Sequence, residues 1–101
     1  MTATELLRSD PRDFWIKMRS TLVGHGVDPS RSVLAFSAPQ GDMSEFAVVV
    51  AHDGRVYQCA LYSPTDSWAD AQLIEWVDLT ASWTDSPYAN DVRTALSLVS
   101  G

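Results

Sequence analysis

The segment EFAVVVAHDGRVYQCALY, residues 45–62, constrains the fold more than any other part of the chain. Its two runs of mostly apolar, strand-forming residues flank Asp53-Gly54, a pair favoured in two-residue type I′ turns because both central positions need a positive φ. The pattern predicts a β-hairpin. With a two-residue loop, His52 would pair with Arg55, and this pairing predicts the register of both strands.

The predicted register sorts the hairpin side chains into a bulky face and a small one. We expect the helices to cover the bulky face, which consists of Phe46, Val48, Val50, Tyr57, Cys59 and Leu61. The small face consists of Ala47, Val49, Ala51, Val56 and Ala60. A flat apolar surface of this kind is larger than monomers usually expose, so it predicts a two-fold homodimer. The alternative is that residues 2–9 or the 63–72 loop fold over this face.

Local signals predict a helix near the N-terminus. Asp10 can cap it, Pro11 suits its first position, and Gly24-His25-Gly26 ends it, which gives a helix over about residues 10–23. Its core-facing stripe is Phe14, Met18 and Leu22, with Trp15 beside it. Before this helix, Thr2 and Glu5 form a possible capping box for a short helical turn.

A second helix is predicted at the C-terminus. Ser86 can cap it and Pro87 can begin it, and an apolar face then extends over residues 87–99. Between the helices, residues 32–38 read as a strand. Residues 71–80 fit a strand by length and composition, although a helix would also group Leu73, Trp76 and Val77.

These elements predict an α+β fold in one domain of residues 1–101. The sheet is a three- to four-stranded antiparallel meander packed by the N- and C-terminal helices, as in a two-layer sandwich.

The charge distribution argues against a nucleic-acid partner. The net charge is −6, and five of the seven basic residues lie at or before Arg31. A phosphate-binding surface needs clustered Lys and Arg, because counterion release drives much of the affinity. The chain has one cysteine, no secretion-signal pattern and no apolar run of membrane-spanning length. We therefore expect a cytoplasmic protein with no membrane partner.

No group of residues is spaced for a known chemistry. Cys59 lies in the middle of a predicted strand and reads as a buried apolar residue. His25 and His52 are isolated and form no metal motif. Phosphate loops and nucleophile elbows are absent from the sequence. We therefore predict that the protein is not an enzyme and uses neither a metal nor a cofactor.

The most unusual segment is SPTDSWADAQLIEWVDLTASWTDSPY, residues 63–88, which is both aromatic and acidic. It lies within a longer stretch, Val56 to Val92, that has six carboxylates and no Lys or Arg. The candidate binding residues in it are Trp68, Asp70, Glu75, Trp76, Asp78, Trp83 and Asp85. The competing interpretation is that the three tryptophans pack into the core and that the acids are a solvated rim or pair with the first helix.

Two classes of function fit these residues. The favoured hypothesis is a non-enzymatic binding module, an adaptor or inhibitor, that presents the surface around residues 63–85 to a basic protein partner. Small acidic bacterial inhibitors and immunity proteins have a similar general build. The alternative is a small-ligand protein in which a tryptophan and a carboxylate bind an organic cation. A cavity of roughly 300 Å³ or more, lined by Trp68, Trp76 or Trp83, would favour the ligand.

Overall fold

The computed structural model describes residues 7–9, 11–39, 41, 43–65 and 67–100. Helix α1 (Asp13–Gly24) and helix α2 (Ala89–Ser100) flank the strands of one sheet. These strands are β1 (Val33–Pro39), β2 (Ser44–Val50), β3 (Val56–Tyr62) and β4 (Gln72–Asp78). They pair antiparallel in the order β1-β2-β3-β4. The predicted α+β fold, a meander packed by terminal helices, is confirmed, and residues 71–80 contain a strand rather than a helix.

Helix α1 begins later than predicted. Pro11 precedes it, and Arg12 is the N-cap in an extended conformation, with a carbonyl that accepts from the amides of Trp15 and Ile16. The predicted cap Asp10 and the Thr2/Glu5 capping box lie outside the described residues, and residues 7–9 are helical. Asp13 in the first turn complements the positive end of the helix dipole.

The glycine stop of α1 is confirmed. Gly26 has φ +78°, and its amide donates to the Val23 carbonyl. The next amide, that of Val27, donates to the Leu22 carbonyl at 2.9 Å. These two bonds form a Schellman motif, in which a left-handed glycine is favoured because it has no Cβ.

Helix α2 also begins two residues later than predicted. The Ser86 hydroxyl accepts from the Tyr88 amide at 3.2 Å, as expected of a cap. However, residues 87 and 88 form a turn, and the helix begins at Ala89. A short 3-10 helix, Trp83–Asp85, ends at Ser86 and connects β4 to this turn.

The hairpin is present, but its predicted register is wrong by one residue. Val50 pairs with Val56, and the Ala51 amide donates to the Arg55 carbonyl, so the loop has three residues, His52 to Gly54. Gly54 has φ +88°, and no described residue other than glycine has a positive φ. A type I′ turn would need a positive φ at Asp53 as well. The loop is instead a three-residue turn whose last position is a left-handed glycine.

The one-residue shift reassigns every side chain of β3 to the opposite face. The face under α1 carries Ala47, Val49, Ala51, Tyr57, Cys59 and Leu61, which pack with Phe14, Trp15, Met18 and Leu22. The opposite face carries Phe46, Val48, Val50, Val56 and Ala60, which pack with Val92 and Ala95 of α2. Each helix therefore packs against its own face of the sheet.

This arrangement overturns the predicted dimer surface. Ala47, Val49 and Ala51 lie under α1, whereas Val56 and Ala60 lie on the α2 face. All five are buried within the single chain. The prediction assumed that both helices share one face, and it fails because they pack on opposite faces.

None of the described helices is long and apolar enough to cross a bilayer.

Candidate functional site

Trp68 and Asp70 lie in a second short 3-10 helix, Trp68–Asp70, just before β4. The Ser67 hydroxyl caps it by accepting from the Ala69 amide. Trp68 is half-buried and packs edge-to-face on Phe14 of α1, with ring centroids 5.0 Å apart. Asp70 is exposed and accepts a hydrogen bond from the Thr65 hydroxyl at 3.3 Å.

The candidate residues of β4 alternate between the two faces of the sheet. Trp76 lies on the α1 face, stacked on His25 at 4.1 Å and beside Tyr57 at 5.0 Å. Glu75 points to the other face, where its carboxylate accepts a hydrogen bond from the side-chain amide of Gln58 at 3.1 Å.

Asp78 is exposed at the end of β4 and accepts from the Thr80 amide at 2.8 Å. Its hydrogen bonds with Thr80, and secondarily the Arg55 guanidinium, lower the pKa of this carboxyl below its ordinary value. The carboxylate is therefore charged at neutral pH.

Trp83 and Asp85 belong to the 3-10 helix that follows β4. Trp83 is half-buried against the α2 face, and the Arg93 guanidinium lies over its ring at 5.4 Å from the centroid. This cation–π contact uses one face of the indole. Asp85 is exposed.

The seven candidates do not form one cluster. Trp68 and Trp76 lie on the α1 side of the sheet and Trp83 on the α2 side, and all three are half-buried. What the seven share is their position along β4 and at its two ends. The predicted acidic–aromatic surface is therefore a rim along one strand rather than a single patch.

One of the three candidate tryptophans, Trp68, lines a pocket. A concavity of about 470 Å³ lies where α1 begins, next to the 3-10 helix Trp68–Asp70 and the start of β2. It is lined by Pro11, Arg12, Asp13, Phe14, Trp15, Glu45 and Trp68. Phe14 packs edge-to-face with both Trp15 and Trp68, at 4.9 and 5.0 Å. Because Phe14 and Trp15 are buried, Trp68 is the aromatic side chain of this lining that is partly exposed.

Glu45 supplies a carboxylate in a partly desolvated position of this pocket. It is half-buried in β2 and shares the α1 face with Ala47. Burial raises the pKa of the Glu45 carboxyl, and the positive charge of Arg12 opposes this shift.

Sequence reasoning missed Glu45 and Phe14 as lining residues of a pocket. A usable signal was present, because Glu45 is the one carboxylate on a strand face otherwise made of Ala and Val. Phe14 carried no such signal, since an aromatic residue on an apolar helix stripe reads as core.

Cys59 is buried in β3, and its Sγ lies 3.4 Å from the sulfur of Met18. Burial, with a smaller contribution from the charge of Glu75, raises the pKa of this thiol from 9.0 to about 12. The thiolate is the reactive form, so this environment is unsuited to a nucleophile.

We expect Cys59 in the folded protein to be almost inert to a disulfide reagent such as dithionitrobenzoate at mildly alkaline pH. A pKa of about 12 in place of 9.0 reduces the thiolate fraction about 1000-fold, and burial adds a steric barrier. Stopped-flow absorbance gives the rate, and the protein in denaturant is the control that reacts fully. A folded-state rate close to that of free cysteine would contradict this environment.

Among the described residues, no group of three or more His, Cys, Asp and Glu side chains is placed to hold a metal ion. Comparison with known proteins finds no family model, no curated protein and no solved structure that matches this chain.

Proposed function

We propose that the protein binds a small organic cation in the pocket at the start of α1. The observation that carries this proposal is the coincidence of about 470 Å³ of space with the half-buried Trp68 ring and a half-buried carboxylate, Glu45. Pockets that hold small molecules measure roughly 300–1,000 Å³. The cavity lined by Trp68 therefore favours the ligand hypothesis over a purely convex protein-binding surface.

The chemistry of the lining favours a quaternary or alkylated ammonium group. Aromatic faces attract such a cation through their quadrupoles, by roughly 0.5–2 kcal/mol depending on desolvation. Glu45 and Asp13 supply negative charge, and Arg12 and the positive end of the α1 dipole oppose them in the described lining. A half-buried carboxylate binds a cation more strongly than an exposed one because water screens it less.

We propose a binding role without catalysis. The support is that the one thiol is buried with a raised pKa. The absence of catalysis and the cytoplasmic location both stay predictions.

Choline and its neutral isostere 3,3-dimethylbutan-1-ol test the site, because they share size and shape and differ in charge. We expect choline to bind with a Kd on the order of 1 mM, and the alcohol to bind about tenfold more weakly or worse. Isothermal titration and tryptophan fluorescence measure both ligands.

Substitutions distinguish binding of choline in the pocket from general electrostatic attraction to an acidic protein. Glu45→Gln and Trp68→Leu are each expected to weaken choline binding about tenfold, which is about 1.4 kcal/mol. The matched controls are Glu75→Gln and Trp83→Leu, outside the lining, and these should bind as the parent does. Equal binding of choline and the alcohol, or equal loss in the controls, would reject the proposal.

A further inference from the structure

Strand β4 forms one of the two edges of the described sheet. It pairs with β3 along one side only. A shift in register between Leu73 and Glu75 marks a bulge, after which residues 75–78 pair regularly with β3. An open edge presents backbone amides and carbonyls that can pair with another strand.

The side chains of β4 do little to block such pairing. Natural edges are commonly protected by Lys, Pro or a bulge, and β4 has neither Lys nor Pro. Its bulge lies at Ile74, so residues 75–78 keep a regular edge. Ile74 and Val77 are 56% and 40% exposed, although both are large and apolar. On the α2 face, α2 packs mainly against β1 and β2, so it leaves the β4 side less covered.

The charges around this edge indicate which kind of segment could pair with it. Asp70, Asp78 and Asp85 are exposed and Glu75 is half-exposed, and no Lys or Arg occurs from Val56 to Val92. The nearby cations are Arg55, whose charge acts on Asp78, and Arg93 over Trp83, so the carboxylates outnumber them. A second copy of this chain pairing through β4 would bring like charges together. An extended segment rich in Lys and Arg would instead be attracted, and its encounter with the edge would be accelerated.

We infer that β4 accepts an extended basic segment of a partner protein, which adds to the sheet as a fifth strand. Backbone hydrogen bonds hold the segment, Ile74 and Val77 contact its apolar side chains, and the carboxylates pair with its cations. This mode places the basic partner on the rim formed by the seven candidate residues. It is independent of the cation pocket, which lies at the start of α1.

The probe is a blocked synthetic peptide of alternating lysine and valine. Its controls are a glutamate-for-lysine analogue and a version N-methylated at every residue, which cannot donate backbone hydrogen bonds from either strand edge. We expect saturable binding of the lysine peptide alone, weakened by salt. Amide hydrogen exchange followed by NMR should slow at β4 and not at β1.

The edge variant Ile74→Lys with Val77→Lys has a matched control in Ile16→Lys with Val23→Lys. Both pairs replace exposed apolar residues and add the same charge, but the control lies on α1. We expect about tenfold weaker binding for the edge variant only. If the double edge variant does not fold, Val77→Lys alone is measured. Absence of saturable binding, equal binding of the N-methylated peptide, or equal loss in both variants overturns the inference.

Discussion

Val92→Asp is expected to lower the free energy of unfolding by more than about 4 kcal/mol, which is exceptional for a single substitution. Val92 has no exposed surface and contributes to the cluster between α2 and the sheet. The substitution removes buried apolar area and places an ionisable group in an apolar cluster, whose other members include Val48 and Val56. The aspartate must be protonated or the helix must detach, and both cost stability.

Leu98→Asp is the control for this substitution, because it places the same side chain on the same helix at a position that is 59% exposed. We expect a loss of no more than about 1 kcal/mol, because an aspartate in the last helical turn is disfavoured by the helix dipole but stays solvated. Urea denaturation followed by circular dichroism measures both. A mild effect at Val92 would mean that α2 does not anchor the sheet.

Met18→Ala is expected to cost about 2–5 kcal/mol, because it removes a fully buried side chain from the α1 side of the sheet. Met18 contacts Cys59 in β3, so the cavity would open between the helix and the sheet. The surroundings, among them Leu22 and Val49, are also buried. The cost depends on how far these neighbours relax into the space.

Ile16→Ala is the matched control on the same helix. Ile16 is 50% exposed, so we expect a change within about 0.5 kcal/mol. If Met18→Ala and Val92→Asp both shift the same single transition, the two helix–sheet interfaces unfold together. Loss of α2 alone, with α1 retained, would instead show that the two sides are separable.

The two proposals assign the two ligands to different residues, so the same variants can test both proposals. The first proposal predicts that choline binding depends on Glu45 and Trp68, whereas the second predicts that peptide binding depends on Ile74 and Val77 in β4. A variant that loses one activity and keeps the other assigns each ligand to its site. Loss of both in one variant, with an altered melting transition, would indicate a folding defect instead.

Local sequence patterns were sufficient to predict the existence and order of the elements. The Asp53-Gly54 pair predicted the hairpin, and the glycines after Leu22 predicted the end of α1, because both depend on backbone conformations of neighbouring residues. Composition and length favoured a strand over residues 71–80, and the structure has β4 there. Helix starts were less well predicted, since the N-cap of α1 is Arg12 in an extended conformation, two positions after the predicted cap Asp10.

For the candidate site, the sequence predicted the types of residue, a tryptophan and a carboxylate, but not which carboxylate lies beside the tryptophan. The sequence singled out Trp68 together with a carboxylate, but the carboxylates it offered were Asp70, Glu75, Asp78 and Asp85 rather than Glu45. Trp68 and Glu45 are 23 positions apart, and they line one pocket because α1, β2 and the 68–70 segment meet at one end of the sheet.

By itself, the sequence determined a small acidic α+β chain with a hairpin at its centre, two flanking helices and an aromatic, acidic stretch free of Lys and Arg. The tertiary structure decided which residues share a face. A loop of three residues instead of two exchanged the faces of β3, and packing of the helices on opposite sides buried the expected dimer surface. The physical reason is that turn propensity is local, whereas register is selected by how well both faces of the finished sheet are covered.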